Sequence, residues 1–344
     1  MMTAGQASDR RIRVLTSEGR RDLNPDELTA ALAGLAEPTC PITWIQTDLQ
    51  PTVVQALEEM GLDEIAVKSL REGPERPRVE EFADHLYISL FSVRASADGA
   101  VDPSADVGSA EQESTPTSVE LRELRLFLGP RWIISVGHID DPDYETLAER
   151  STRQVLARER GPSFVAYQIC EWLVETLQPT LDRLDDRVDA LEDQVIAATG
   201  EAVVQELFSL KRDLVELRRR LAPLRDVLQR LGAHGVTYVE PEAEVYFRDV
   251  HDDIMRDLEL LDTYRDILSS ALDLHLSSVS NKLNRVMKQL TVVATMFLPL
   301  SFIVSLFGTN FFDMPYKSTA WFAIMFALML FSIIAMFLYT RRRA

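Results

Sequence analysis

Between Pro241 and Pro299 the sequence has no glycine and no further proline, and one side of that stretch carries groups that could hold or pass a cation. At a period of 3.5 residues, one stripe reads Asp252, Arg256, Glu259, Thr263, Asp266, Ser270, Asp273, Ser277, Ser280, Asn284, Met287, Thr291, Ala294, Leu298, Ser301, Ser305, Gly308. The spacing alternates four and three without a slip, which puts all of them on one face of a helix. The first half is acidic or hydroxylic; the second is small or hydroxylic, with Met287 and Leu298 as its bulky members. Repeated around an axis, rings of hydroxyl and amide oxygens would substitute for a cation's hydration shell, and Met287 and Leu298 would form constrictions that dewet. Carboxylates at Asp252, Glu259, Asp266 and Asp273 would repel one another across such an axis, and a bound cation would relieve that repulsion.

The element that must position the stripe is a very long helix. The 57 residues between the two prolines, if all helical, span roughly 85 Å at ~1.5 Å each. A second face carries Ile254, Leu258, Leu261, Leu268, Leu272, Leu276, Val279, Leu283 and Val286, which asks for packing partners.

The helix ends in an apolar segment. Leu290–Phe307 and Ala320–Tyr339 carry no charge over 18 and 20 residues, close to the ~20 needed to cross a bilayer. A buried hairpin in a soluble domain is the other reading of such a pair. Lys282, Arg285 and Lys288 precede the first segment and Arg341–Arg343 follow the second, while the connecting loop holds only Asp313 and Lys317. The positive-inside rule places both ends in the cytoplasm and the loop outside. A polar stripe should not face lipid, and two spans cannot enclose an aqueous path. The sequence therefore asks for an oligomer with several stripes facing one axis. Close helix packing, which also favours small and hydroxylic residues, is the alternative for the membrane part.

The remainder is acidic. Net charge is −18, and residues 290–344 carry +3, which leaves −21 on the first 289. Such a domain repels nucleic acid and concentrates cations; plain solubility explains the same charge. The N-terminus has no apolar signal core. Cys40 and Cys170 have neither a disulfide framework nor metal-ligand spacing, and read as buried or idle thiols.

Residues 1–162 read as a cytoplasmic α/β domain. Strands are expected at Arg11–Thr16, Pro41–Gln46, Leu86–Val93, Arg125–Leu128 and Trp132–Val136, the last two forming a hairpin across Gly129-Pro130-Arg131. Residues 52–72 look helical with a glycine break. Residues 95–118, nearly devoid of bulky side chains, read as a disordered loop. No phosphate loop, nucleophile elbow or paired-carboxylate signature appears, so nothing argues for an enzyme. Residues 163–240 read as an antiparallel helical hairpin. Its first arm repeats Leu177, Leu181, Leu184, Val188, Leu191, Val195; its second repeats Leu207, Leu210, Leu214, Leu217, Leu221, Leu224, Leu228, Leu231, with Pro223 as a kink. The first arm's outer face bears Asp182, Asp185, Asp186, Asp189, Glu192 and Asp193, by default a solvated face and otherwise a cation-concentrating one. The stalk helix then occupies 241–289, the first transmembrane helix 290–308, an external loop 309–319, the second transmembrane helix 320–340 and a basic tail 341–344.

At this point the residues resemble the CorA family of divalent-cation channels. The likeness is loose from about residue 40 and close from Tyr246–Ile254 through Leu276–Phe311. There Ser280-Asn281-Lys282, the run Met296-Phe-Leu-Pro-Leu-Ser-Phe302 and a Gly-x-Asn triplet at Gly308-Thr309-Asn310 arrive in family order. The resemblance implies an α+β fold, a homopentamer with a cytoplasmic funnel, and a pore lined by the long helix in the plasma (inner) membrane. It implies conduction of hydrated Mg²⁺ into the cell. Magnesium dehydrates reluctantly, so amides that hydrogen-bond its waters suit it.

Residue by residue, the resemblance implies that Asn310 presents its amide at the outer mouth and that Gly308 is the turn glycine. Asn284 matches a polar ring, Met287 and Leu290 a hydrophobic gate, and Asp273 an acidic ring below it. Asp249 matches an intersubunit regulatory Mg²⁺ site that holds the closed state; Asp98 is a candidate for its carboxylate partner. Thr309 stands where the family has methionine, and Tyr316 where its loop usually has glutamate. These departures leave open a Zn²⁺ transporter of the ZntB type, with Co²⁺ and Ni²⁺ as further cargo. A membrane scaffold that conducts nothing is a third reading. No His or Cys lies on the stripe, which disfavours a soft-ion site; His251 and His275 read as solvent-facing or packed.

Overall fold

A computed structural model of the chain describes residues 12–35, 40–71, 76–95, 119–137, 139, 141–158, 160–197, 201–308 and 319–343. The chain divides into two compact units, Met1–Gln194 with Gly200–Ser270, and Val195–Thr199 with Ala271–Ala344.

The first unit opens as a mixed sheet. Strands β1 (Ile12–Thr16), β2 (Gly19–Leu23), β3 (Thr43–Thr47), β4 (Arg78–Glu81), β5 (Leu86–Ala95), β6 (Val119–Leu128) and β7 (Trp132–Val136) lie in the order β2-β1-β3-β7-β6-β5-β4. Only β3 and β7 run parallel; every other pair is antiparallel. The expected β6–β7 hairpin is present, with Leu128 opposite Ile133. β6 starts at Val119 rather than Arg125, because it pairs with β5 over ten positions from Leu86↔Leu128 to Ala95↔Val119. The loop read over 95–118 lies outside the described residues, apart from Ala95, which closes β5.

Alternation along the strands sorts two faces. Ile12, Ile45, Tyr87, Phe127, Trp132, Ile134 and Val136 pack with α1 (Pro25–Gly34), α2 (Pro51–Glu59) and α3 (Glu64–Ser69). The last two, separated at Gly61, are the helical stretch with a glycine break expected over 52–72. On the opposite face Trp44 donates to Ser135 Oγ at 2.9 Å and meets Tyr144 edge-on at 5.8 Å. Tyr144 belongs to α4 (Pro142–Gln154), and α5 (Pro162–Glu175) packs on the same face. Five helices, α1, α2, α4 and α5 with α8 below, begin with proline, whose fixed φ and missing N–H suit that position. Asp63 and Asp141 cap α3 and α4 through bonds to the amides of Ile65 and Asp143.

Helices α6 (Gln178–Ala197) and α7 (Glu201–Leu231) follow, then α8 (Pro241–Gly308) and α9 (Thr319–Arg343). Every leucine and valine in the two heptad series is buried. Their apolar seams are covered in part by α8, whose Phe247, Val250, Ile254, Leu258, Leu261 and Leu268 are buried too. Polar clasps fix the register: Gln178 Nε2 donates to Asp257 at 3.0 Å, Arg218 Nε reaches Asp262 at 2.7 Å, and Lys211 Nζ donates to Ser269 at 2.8 Å. The start of α8 is thus clasped to both α6 and α7.

In the second unit, α8 continues through Pro299 to Gly308. α8 and α9 are the two described helices long and apolar enough to cross a membrane. Pro299 has no N–H to give to the carbonyl of Thr295, one turn before it.

Candidate ion-conduction stripe and regulatory carboxylate

The long helix expected from the Gly- and Pro-free stretch is present as one 68-residue element. All seventeen positions of the stripe, from Asp252 to Gly308, are exposed. Within the first unit the contrast is sharp: Ile254, Leu258, Leu261 and Leu268 on the other face are buried. In the second unit the contrast fades, since residues 280–291 are exposed all round.

The stripe's chemistry varies along its length. Asp252 lies 3.3 Å from His251, and Asp266 takes Arg265 at 3.0 Å. Glu259 and Asp273 make no ion pair among the described residues, so their carboxylates remain open to a counter-ion. Arg256, the stripe's one cation, is held by Asp253. Three of the hydroxyls are satisfied inside the helix: Thr263 donates to the Glu259 carbonyl at 2.9 Å, Ser270 to Asp266 at 3.0 Å and Thr291 to Met287 at 2.8 Å. Such i−4 bonds let a hydroxyl sit on a membrane helix without an outside partner, a possibility that sequence spacing cannot register. Asn284 has no such recourse among the described residues; its amide is exposed.

Met287 and Leu290 are both about three-fifths exposed, at 58% and 61%. Leu290, Thr291, Ala294 and Leu298 border an apolar cavity of about 520 Å³ with Thr295, Pro299 and, from α9, Met336. The membrane part of the stripe therefore reaches one edge of the α8–α9 contact. Ser277, Ser280, Ser301 and Ser305 stand exposed on α8, and Gly308 ends it with open space where a Cβ would lie. Thr309, Asn310 and Asp98 lie outside the described residues.

Asp249 is exposed on the first turns of α8. Its surroundings include a network invisible in the sequence. Tyr167 donates to Glu171 at 2.5 Å, and Arg150 binds the other oxygen of Glu171 at 2.6 Å. Burial, then Glu171, then the nearby Asp249 push the Tyr167 phenol well above its usual value. The Tyr246 ring packs tilted against Tyr167 with centroids 5.1 Å apart, so the residue three before Asp249 is anchored to α5. A signal for this existed only in the aromatic Tyr246-Phe247 pair before Arg248-Asp249.

His251 is partly exposed and His275 is buried, in keeping with a packed or solvent-facing role. Cys170 is buried, and burial pushes its thiol up to about 12. Among the described residues, no three His, Cys, Asp or Glu side chains gather closely enough to hold a metal within one chain.

Comparison with known proteins gives this geometry its context. The family described as CorA-like Mg²⁺ transporter protein matches residues 41–342. The chain is 33% identical over 305 residues to the cobalt/magnesium transport protein CorA of Thermotoga maritima, covering 88% of this chain and 82% of that protein. It is 28% identical over 290 residues to the protein of the same name from Methanocaldococcus jannaschii, covering 83% and 82%. The complete structure of the Methanocaldococcus jannaschii CorA magnesium transporter aligns at a TM-score of 0.74 and 22% identity over 100% of this chain and 99% of that one. Full-length CmaX aligns at 0.67 and 23% identity, over 98% and 99%. At these identities the structural likeness shows the fold. The fold, the paired apolar helices and the match through both spans lead to one assignment: the chain is a membrane transporter rather than an enzyme and belongs to the CorA-like Mg²⁺ transporter family, whose members carry divalent cations across membranes.

Proposed function

We propose that this chain assembles as a homopentamer in the plasma (inner) membrane, termini in the cytoplasm, and mediates Mg²⁺ uptake through a pore lined by α8. The observation that carries this reading is the exposure of the whole stripe from Asp252 to Gly308 while the other cytoplasmic face of α8 is buried. A face left uncovered over that length, carrying acids and an amide, suits a wet axis shared by identical subunits. Asp273 and Asn284 would hydrogen-bond the waters of a hydrated ion, Met287 and Leu290 would close the path by dewetting, and Gly308-Thr309-Asn310 would form the mouth. Asp249, with a carboxylate such as Asp98 from a neighbouring subunit, would bind cytoplasmic Mg²⁺ and hold the closed state; loss of that ion would loosen the subunits.

Purified protein in liposomes, assayed in parallel with Mg²⁺, Co²⁺, Ni²⁺ and Zn²⁺, tests the reading. Mg²⁺ flux should dominate and disappear in Asn310→Ala; undiminished flux in that variant removes the proposed mouth. Thr309, where the family motif has methionine, favours a second reading as a Zn²⁺ transporter. A pH-dependent Zn²⁺ flux exceeding that of Mg²⁺ would establish it, and no cation flux at all would leave a scaffold.

A further inference from the structure

An open cavity of about 780 Å³ lies within the first unit, between α7 and the β4–β6 side of the sheet. Its volume falls in the range of small-molecule sites, roughly 300–1,000 Å³. Arg76, Arg212, Arg219 and Arg220 line it, with Glu123 and Glu216. Both acids are already engaged: Glu123 by Arg125 at 2.9 Å and Glu216 by Arg220. Arg76, Arg212 and Arg219 make no ion pair among the described residues. A chain of net charge −18 thus gathers uncommitted cations in one concave place.

The rest of the lining is apolar. Phe91 and Pro77 line it from the sheet side, and Val215 and Pro223 from α7. Pro223 stands inside α7 and has no N–H for the carbonyl of Arg219, one turn earlier. Arg212 and Arg219 are two helical turns apart, roughly 10.5 Å along the axis. Arginines spaced along the helix in this way can flank a chain of phosphates. Arginine's planar fork matches phosphate oxygens in pairs.

We propose that this groove binds a nucleotide-sized anion carrying two or more phosphates, with its phosphates on Arg212, Arg219 and Arg76 and its ring system between Phe91 and Val215. The position has a consequence. Lys211 and Arg218, the residues just before Arg212 and Arg219, are the ones that clasp α8 at Ser269 and Asp262. A ligand gripping one side of α7 therefore acts on the helix segment that holds α8.

Calorimetric titration of the full-length protein in detergent, at fixed free Mg²⁺, tests the site with ATP, inorganic triphosphate and adenosine. ATP should bind saturably, triphosphate more weakly, and adenosine not at all. Arg212→Gln with Arg219→Gln should weaken ATP on the order of tenfold or more. Val215→Glu, an exposed position that leaves every arginine in place, should weaken it similarly. Both variants must elute as the intact oligomer, which exposed substitutions permit. Absence of saturable ATP binding, or unchanged affinity in both variants, overturns the site. Triphosphate binding as tightly as ATP overturns the nucleotide assignment.

Discussion

Arg218 on α7 places its Nε 2.7 Å from Oδ1 of Asp262 on α8, and the same carboxylate oxygen lies 3.3 Å from Arg265 one turn further along. One acid therefore serves an interhelical and an intrahelical cation together. The two side chains are 43% and 31% exposed, while the facing Nε and Oδ1 atoms are buried and make no well-aligned hydrogen bond, so the pair counts as a modest ion pair.

Removing Arg218 should cost little and removing Asp262 more. Arg218→Ala is expected to destabilise the protein by about 0.5 kcal/mol, the usual scale for exposed pairs. Asp262→Ala should lower the melting temperature further, because Arg218 loses its partner and Arg265 loses one of two, keeping Asp266. The double variant should be less than additive. Equal and additive losses would show that the clasp carries no coupling.

Asp257 presents a different electrostatic situation. It is 6% exposed, Oδ1 accepts from Gln178, and Oδ2 has no hydrogen-bond partner among the described residues. Burial raises its pKa above the usual carboxylate value, with Gln178 opposing. A raised folded pKa means that the buried charge penalises folding at neutral pH, and that the penalty fades as pH falls toward the unfolded value of about 4. Asp257→Asn keeps an acceptor for Gln178 and removes the charge. It should raise the melting temperature at pH 7 and change little near pH 4. A loss of stability at pH 7 would mean that the carboxylate has a partner, such as a cation, in the assembly.

Glu244 shows the opposite sign. It accepts from His234 Nδ1 at 3.1 Å and from the Gly235 amide at 3.3 Å, and the His234 bond, first among the causes, holds its pKa below the ordinary value. The stabilisation is present above the unfolded pKa and is lost as pH falls through the folded one. Glu244→Gln should lower the melting temperature at neutral pH and have no effect once the wild-type carboxyl is protonated. A constant difference across the acid limb would contradict this.

Met287 and Leu290 should behave as a dewetting constriction. Replacing both with serine is expected to raise Mg²⁺ flux in liposomes, most of all at high internal Mg²⁺, because a polar ring stays wet. Asn284→Leu should reduce flux. Flux in the double serine variant equal to wild type would move the gate elsewhere.

What the sequence revealed follows from which forces are local. The leucines of α6 and α7 recur at heptad spacing because both helices bury one continuous seam, so their burial was legible from spacing alone. Trp132–Val136 was legible as a short apolar run beside a turn signal, and all five of its residues are buried. Strands β2, with the sequence Gly-Arg-Arg-Asp-Leu, and β4, Arg-Val-Glu-Glu, were not. Both are edge strands, where solvent replaces an apolar partner and the alternation vanishes. The exposed face of α8 from Asp252 to Asp273 was legible, whereas the i−4 bonds that satisfy Thr263, Ser270 and Thr291 depend on rotamers. The Tyr167–Glu171–Arg150 network and the arginine groove join residues far apart in sequence, Phe91 with Val215 among them, and no spacing rule connects those positions.

The uninterrupted run of α8 from Pro241 to Pro299 also constrains how this chain can change. A single inserted residue would turn everything beyond it by about 100°, because each residue advances an α-helix by 1/3.6 of a turn. Inserted at Ser270, it would rotate Asn284 and Met287 off the line that starts at Asp252. Seven residues, by contrast, restore the phase to within about 20°. Length in this helix therefore behaves like a reading frame: heptad insertions keep the message, and single ones scramble everything downstream.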